Sequence, residues 1–163
     1  MKIGVIGPPG SITEIKETLE GSNTPVEPVL LPYKKYTDVV DILNRYQDEL
    51  DGVLFSGSTS YRYASGFVHA TKPWEYLPQR KLSLVSTLLK AMAIEGWDIR
   101  RASLDSYSTE LIYDAYKEVG YSADQLAIQL AHFDLFEPEY IERLYQFHRN
   151  SHQSGKTACC ITG

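Results

Sequence analysis

Two short apolar runs, each broken by a small-residue turn and followed by a helical pattern, constrain this chain most. Lys2–Ile6 runs into Gly7-Pro8-Pro9-Gly10, with Ile12, Ile15 and Leu19 at helical spacing behind it. Gly52–Phe55 runs into Ser56-Gly57-Ser58-Thr59-Ser60, with a helix expected from about Tyr61. Ser11 and Glu14 have the spacing of a capping box and predict the start of the first helix. A strand, a turn and a helix, twice over, argue for parallel strands covered by helices.

The neighbouring segments fit that frame. Val26–Leu31 reads as a strand whose Pro28 lacks a ladder donor, which places it at a sheet edge. Thr37 is positioned to cap a helix carrying Val40, Leu43, Tyr46 and Leu50, and Trp74–Leu77 forms a fourth strand between two prolines. Leu82, Val85, Leu88, Leu89 and Met92 mark a helix that ends at Gly96. Residues 1–96 are therefore expected to form a three-layer α/β domain of Rossmann or flavodoxin-like type.

From Trp97 the alternation continues. Ile99–Leu104 is a strand, Ser106 or Ser108 caps a helix bearing Leu111, Ile112, Ala115 and Val119, and Leu126–Phe133, which alternates only partly, reads as a strand in preference to a helix. A helix opens at Pro138, runs through Ile141, Leu144 and His148 and stops at Gly155; Thr157–Ile161 is the last strand. Residues 97–163 read as a second, incomplete βαβαβ segment, and the whole as an amino-terminal piece of a longer protein, the alternative being a natural domain whose last strand closes the sheet.

Composition excludes several classes. A net charge of -5, with basic residues in isolated pairs such as Lys34-Lys35 and Arg100-Arg101, argues against direct nucleic-acid binding. No apolar run approaches the roughly 20 residues that span a bilayer, and the first residues enter a strand without a signal-peptide layout. A cytoplasmic location without membrane contact is expected. Adjacent Cys159 and Cys160 would point to opposite faces of a strand, which suits buried thiols better than a disulfide.

Candidate chemistry is sparse. Gly4, Gly7 and Gly10 match neither a Walker A loop nor G-x-G-x-x-G, so no nucleotide cofactor is implied. His148 and His152 lie one turn apart on a helix but lack the Glu of the zinc-protease signature, and read as a surface helix rather than a metal site. His69 and His132 have no evident partner. Ser56-Gly57-Ser58 is not a nucleophile elbow. Asp51, Asp105 and Asp134 are accounted for by caps and turns.

What remains is a place to bind. Ligands of open α/β sheets sit outside the carboxyl ends of the strands, where strand order reverses. The expected crevice comprises Gly7, Pro8, Gly10 and Ser11 from one turn and Ser56, Gly57, Ser58, Thr59, Ser60 and Tyr61 from the other. Tyr33 joins them, because a tyrosine can stack on a ligand and still hydrogen-bond.

Lys2-Ile3-Gly4-Val5-Ile6-Gly7-Pro8 followed by Asp51-Gly52-Val53-Leu54-Phe55-Ser56-Gly57 resembles the amino-terminal effector-binding regions of bacterial transcription regulators of the propionate-catabolism activator type. The run from Phe147-His148-Arg149 to Gly155-Lys156-Thr157 is similar to the middle of such a regulator. The resemblance covers mainly residues 1–95. It implies a non-catalytic sensor domain for a small polar or anionic metabolite, with Ser56–Thr59 in the crevice turn and Gly7–Ser11 in the neighbouring loop. The transcriptional output would then require a DNA-binding segment elsewhere, and a homodimer is compatible with such a regulator. This chain has Gly57-Ser58 where the family doubles its glycine, so the family's ligand does not carry over. The rival readings are an enzyme acting on a phosphorylated or nucleotide substrate on the same scaffold, and a protein-interaction module docking through the tyrosines.

Overall fold

The computed structural model describes residues 1–137 and 139–162. It divides into two compact units, Met1–Pro78 and Gln79–Gly163.

The first unit contains β1 (Lys2–Gly7), α1 (Pro9–Gly21), β2 (Glu27–Pro32), α2 (Val39–Tyr46), β3 (Gly52–Phe55), α3 (Ser58–Phe67) and β4 (Trp74–Tyr76). All pairings are parallel and the strand order is β2-β1-β3-β4, the flavodoxin-like arrangement. Pro28 lies in the edge strand β2, where its missing donor costs no ladder bond. Alternation along β1 separates two layers of helix. Ile6 packs with Val39 and Leu43 of α2 and Ala64 of α3, whereas Gly7 faces Ile12 of α1 on the other side. Gly4 leaves the space that Leu50 and Leu31 fill, since a Cβ there would lie 3.1 Å from Leu31 Cδ1 and closer still to Leu50.

The second unit contains α4 (Lys81–Ala93), β5 (Ala102–Leu104), α5 (Thr109–Glu118), β6 (Gln129–Leu130), α6 (Tyr140–Gln153) and β7 (Cys159–Ile161). Its strands are again parallel, in the order β6-β5-β7. Ala102 and Leu104 of β5 face a core with Leu84, Leu88 and Ala91 of α4 and Ile112, Ala115 and Tyr116 of α5. The other face of β5 meets α6 through Ser103 and Asp105.

Several local expectations change. The division between compact units falls after Pro78: the apolar face of α4 is buried in the second unit, and Lys81 pairs with Glu118 of α5 at 2.8 Å. Ser11 and Glu14 form no capping box. Proline at the first helical position starts α1 three residues earlier, and Ser11 falls inside the first turn. Thr37 does not cap α2 with its side chain; Asp38 precedes that helix and accepts the Lys34 and Lys35 amides at 3.2 and 2.9 Å. The α3 helix begins at Ser58, ahead of Tyr61. Ile99–Arg101 is a single 3-10 turn before a shorter β5, with Arg100 held by Asp98 at 2.7 Å. Ser108, not Ser106, caps α5 by accepting the Leu111 amide at 3.3 Å. The expected helix start at Pro138 lies outside the described residues, and α6 is helical from Tyr140.

Candidate functional site

The carboxyl ends of the first unit's strands share one rim because the hydrogen-bond ladder continues past each strand. Ser56 N–H donates to the Ile6 carbonyl at 2.8 Å, Tyr33 N–H to Gly7 at 3.1 Å, and Leu77 N–H to Phe55 at 3.0 Å. The two turns expected to form a crevice therefore lie side by side, at the point where strand order reverses between β1 and β3. Gly7 is buried in this seam, and a Cβ on it would sit 2.6 Å from Ser56 Cβ and 3.0 Å from Ile12 Cγ2.

Both helices leaving the rim start without a side-chain cap. The first rung of α1 is Ile12 N–H to the Pro8 carbonyl at 3.2 Å, so the Gly10 and Ser11 amides precede the ladder. Gly57 stands before α3 in extended conformation, ahead of the Ser58, Thr59 and Ser60 amides. A Cβ on Gly10 or Gly57 would meet nothing within 4 Å. Open space, first-turn amides and the positive ends of two helix dipoles favour a negative or hydrogen-bond-accepting group.

The individual residues divide. Pro8, Gly10 and Ser11 are exposed, and Ser56, Gly57, Ser58 and Thr59 are half-buried along the rim. Ser60 is buried, and its Oγ has no hydrogen-bond partner among the described residues. Tyr33 and Tyr61 pack against the core of the first unit. Tyr61 stands edge-on to Phe55, with ring centroids 5.5 Å apart, and tilts against Tyr76 at 4.7 Å. Their rings therefore serve the packing of β3 and β4. Asp51 works at the opposite end of the strands, where its carboxylate accepts the Lys2 amide at 2.7 Å.

A second constellation, absent from the sequence expectations, lies buried in the second unit. His148 is not on a surface helix face: its Nδ1 is 2.8 Å from Ser103 Oγ and its Nε2 is 3.1 Å from Asp105 Oδ2. Ser103 Oγ also lies 3.4 Å from the Cys159 carbonyl. Burial raises the Tyr107 hydroxyl, partial loss of water contact raises the thiol of the otherwise exposed Cys160, and the Asp105 charge adds to both shifts. Ser-His-Asp resembles a hydrolase set, yet Ser103 is fully buried in the central strand and its hydroxyl is committed to protein atoms. A nucleophile must reach its substrate. This cluster joins α6 to β5. The only sequence signal for it was the i, i+2 placement of Ser103 and Asp105, one face of a strand.

His152 is exposed while His148 turns inward, so the two do not converge on one ligand. Among the described residues no three His, Cys, Asp or Glu side chains gather as a metal site would require, and no helix is long and apolar enough to cross a membrane. Cys159 is buried and Cys160 exposed, the opposite-face arrangement of strand neighbours; the expectation of two buried thiols holds for Cys159 alone. Compared with known proteins, the chain matches no family model and no curated protein.

Proposed function

We propose that the first unit is a small-molecule-sensing module with no catalysis of its own, of the kind that precedes the DNA-acting parts of bacterial transcription regulators. Its ligand is a small polar or anionic metabolite seated where α1 and α3 begin. The observation that supports this reading is the pairing of two uncapped helix starts on one rim, across the Gly7–Ser56 seam. No serine in that rim has a histidine partner among the described hydrogen bonds, which favours binding over turnover. The ligand acts by favouring one arrangement of the protein over another, and it can do so only through unequal affinity for the two.

Gly57→Val tests the site. The added side chain enters open space, so the fold is retained while the rim is obstructed. A thermal-shift screen of polar and anionic metabolites should find compounds that stabilise the wild-type chain and fail to stabilise Gly57→Val. A ligand at 100 times its Kd adds about 2.7 kcal/mol. A screen in which every stabilising compound stabilises Gly57→Val equally, or product formed from a phosphate ester or nucleotide, would remove the proposal.

A further inference from the structure

An open cleft of about 500 Å3 lies in the second unit. One wall is α6, which presents Arg143, Gln146, Phe147 and Asn150 at i, i+3, i+4 and i+7, a single helical stripe. Gln129 of β6 and Phe133 beyond it form the other wall, and Lys156 closes the end after the helix. We propose that this cleft binds a hydroxylated small organic anion, a sugar phosphate or a sugar acid.

Three observations point to that chemistry. Three side-chain amides, those of Gln129, Gln146 and Asn150, line the cleft, and each can donate and accept, as hydroxyl groups require. Phe133 and Phe147 meet edge to face with centroids 6.1 Å apart and supply an apolar surface for carbon-bound hydrogens. Among the described lining residues there are two cations and no carboxylate, Glu137 reaching only Arg143. Arg143 is partly committed, lying over the Phe133 ring at 4.6 Å and pairing with Glu137. Lys156 forms no ion pair among the described residues and is the uncommitted charge for the anionic group. The negative end of the α6 dipole opposes it there, but a charge-assisted hydrogen bond is the larger effect at an exposed helix end.

The wall is also held in place. His148 lies between Phe147 and Asn150 on the helix and bonds inward to Ser103 and Asp105. Those two buried bonds fix the rotation of α6, so the cleft residues are positioned before any ligand arrives. Preorganisation of that kind lowers the ordering cost of binding.

Calorimetric titration of the intact chain tests the proposal, with glucose 6-phosphate and gluconate as probes and glucose and inorganic phosphate as single-feature controls. At least one of the two anionic sugars should bind, and whichever binds identifies the phosphate or the acid as the source. Lys156→Gln and Asn150→Ala should each weaken it about tenfold or more. Both positions are exposed, and unchanged melting temperatures will show that the variants fold. Gly57→Val should leave this binding intact, which separates the cleft from the first unit's rim. Absence of binding by both anionic sugars at millimolar concentration would overturn the proposal. So would equal binding of glucose or phosphate alone, affinity indifferent to both cleft substitutions, or loss of binding in Gly57→Val.

Discussion

Gly7 and Ser56 approach so closely across β1 and β3 that a methyl group on Gly7 would lie 2.6 Å from Ser56 Cβ. That contact joins the two turns of the rim, and it is made possible by a residue without a Cβ. Gly7→Ala should destabilise the chain by about 2 kcal/mol, the range for overfilling a packed site. Ser56→Gly removes the opposing atoms, so the double variant should recover much of the loss. A urea-unfolding double-mutant cycle measures this; simple additivity of the two changes would show that the seam is not the source of the cost.

His148 links α6 to the central strand of the second unit. His148→Ala leaves the buried Asp105 carboxylate and Ser103 hydroxyl without this partner, and should cost about 3 kcal/mol. Ser103→Ala removes the hydroxyl's contacts with His148 and the Cys159 carbonyl but leaves the His148–Asp105 contact, and should cost about 1 kcal/mol. Chemical denaturation orders the two, and a larger loss in Ser103→Ala would contradict the arrangement.

Thr157 is buried with an Oγ1 that bonds to nothing among the described residues, and Ser60 Oγ on α3 is alike in this. Thr157→Val keeps the shape and the backbone N–H that donates to Ser151 at 3.2 Å. It should raise stability by about 1 kcal/mol, since a buried hydroxyl without a partner carries its full desolvation penalty. Ser60→Ala should act the same way, helped by alanine's helix propensity. A drop in melting temperature for either variant would mean that the hydroxyl has a partner after all.

Alkaline pH should weaken the second unit. Burial, with smaller contributions from Cys160 and Asp98, pushes the Cys159 thiol from 9.0 up to about 11. Burial also raises the Tyr116 hydroxyl well above its usual 10.0, while that hydroxyl donates to the Ile99 carbonyl at 2.5 Å. The folded chain holds both protons where the unfolded chain releases them. The stability they support is therefore complete below about pH 9 and is lost as pH rises towards the folded values. Tyr116→Phe should lower stability by about 1 kcal/mol at neutral pH through the lost bond, and flatten the decline above pH 10. An unchanged alkaline limb in that variant would contradict the assignment.

Much of the fold was legible in the chain because strand and helix carry different apolar periods. The alternation of elements, the edge position forced on β2 by Pro28, and the common rim of Gly7 and Ser56 all follow from local pattern and parallel connectivity. Local signals competed at Ser11 and Thr37, where Pro9 at the head of α1 and the Asp38 carboxylate beside α2 prevailed. Tyr33 and Tyr61 belonged to the rim by position along the chain, yet their rings pack against the core.

The sequence by itself determined that short parallel strands would alternate with helices and end in small-residue turns, since apolar spacing and backbone freedom are properties of neighbouring residues. Only the tertiary structure decided that α4 joins the second unit, that Ser60 points inward, and that His148 meets Ser103 and Asp105 across more than forty residues of chain. Apolar burial has no direction along the sequence. Which helix covers which sheet, and which polar groups must then find each other beneath it, is settled by packing.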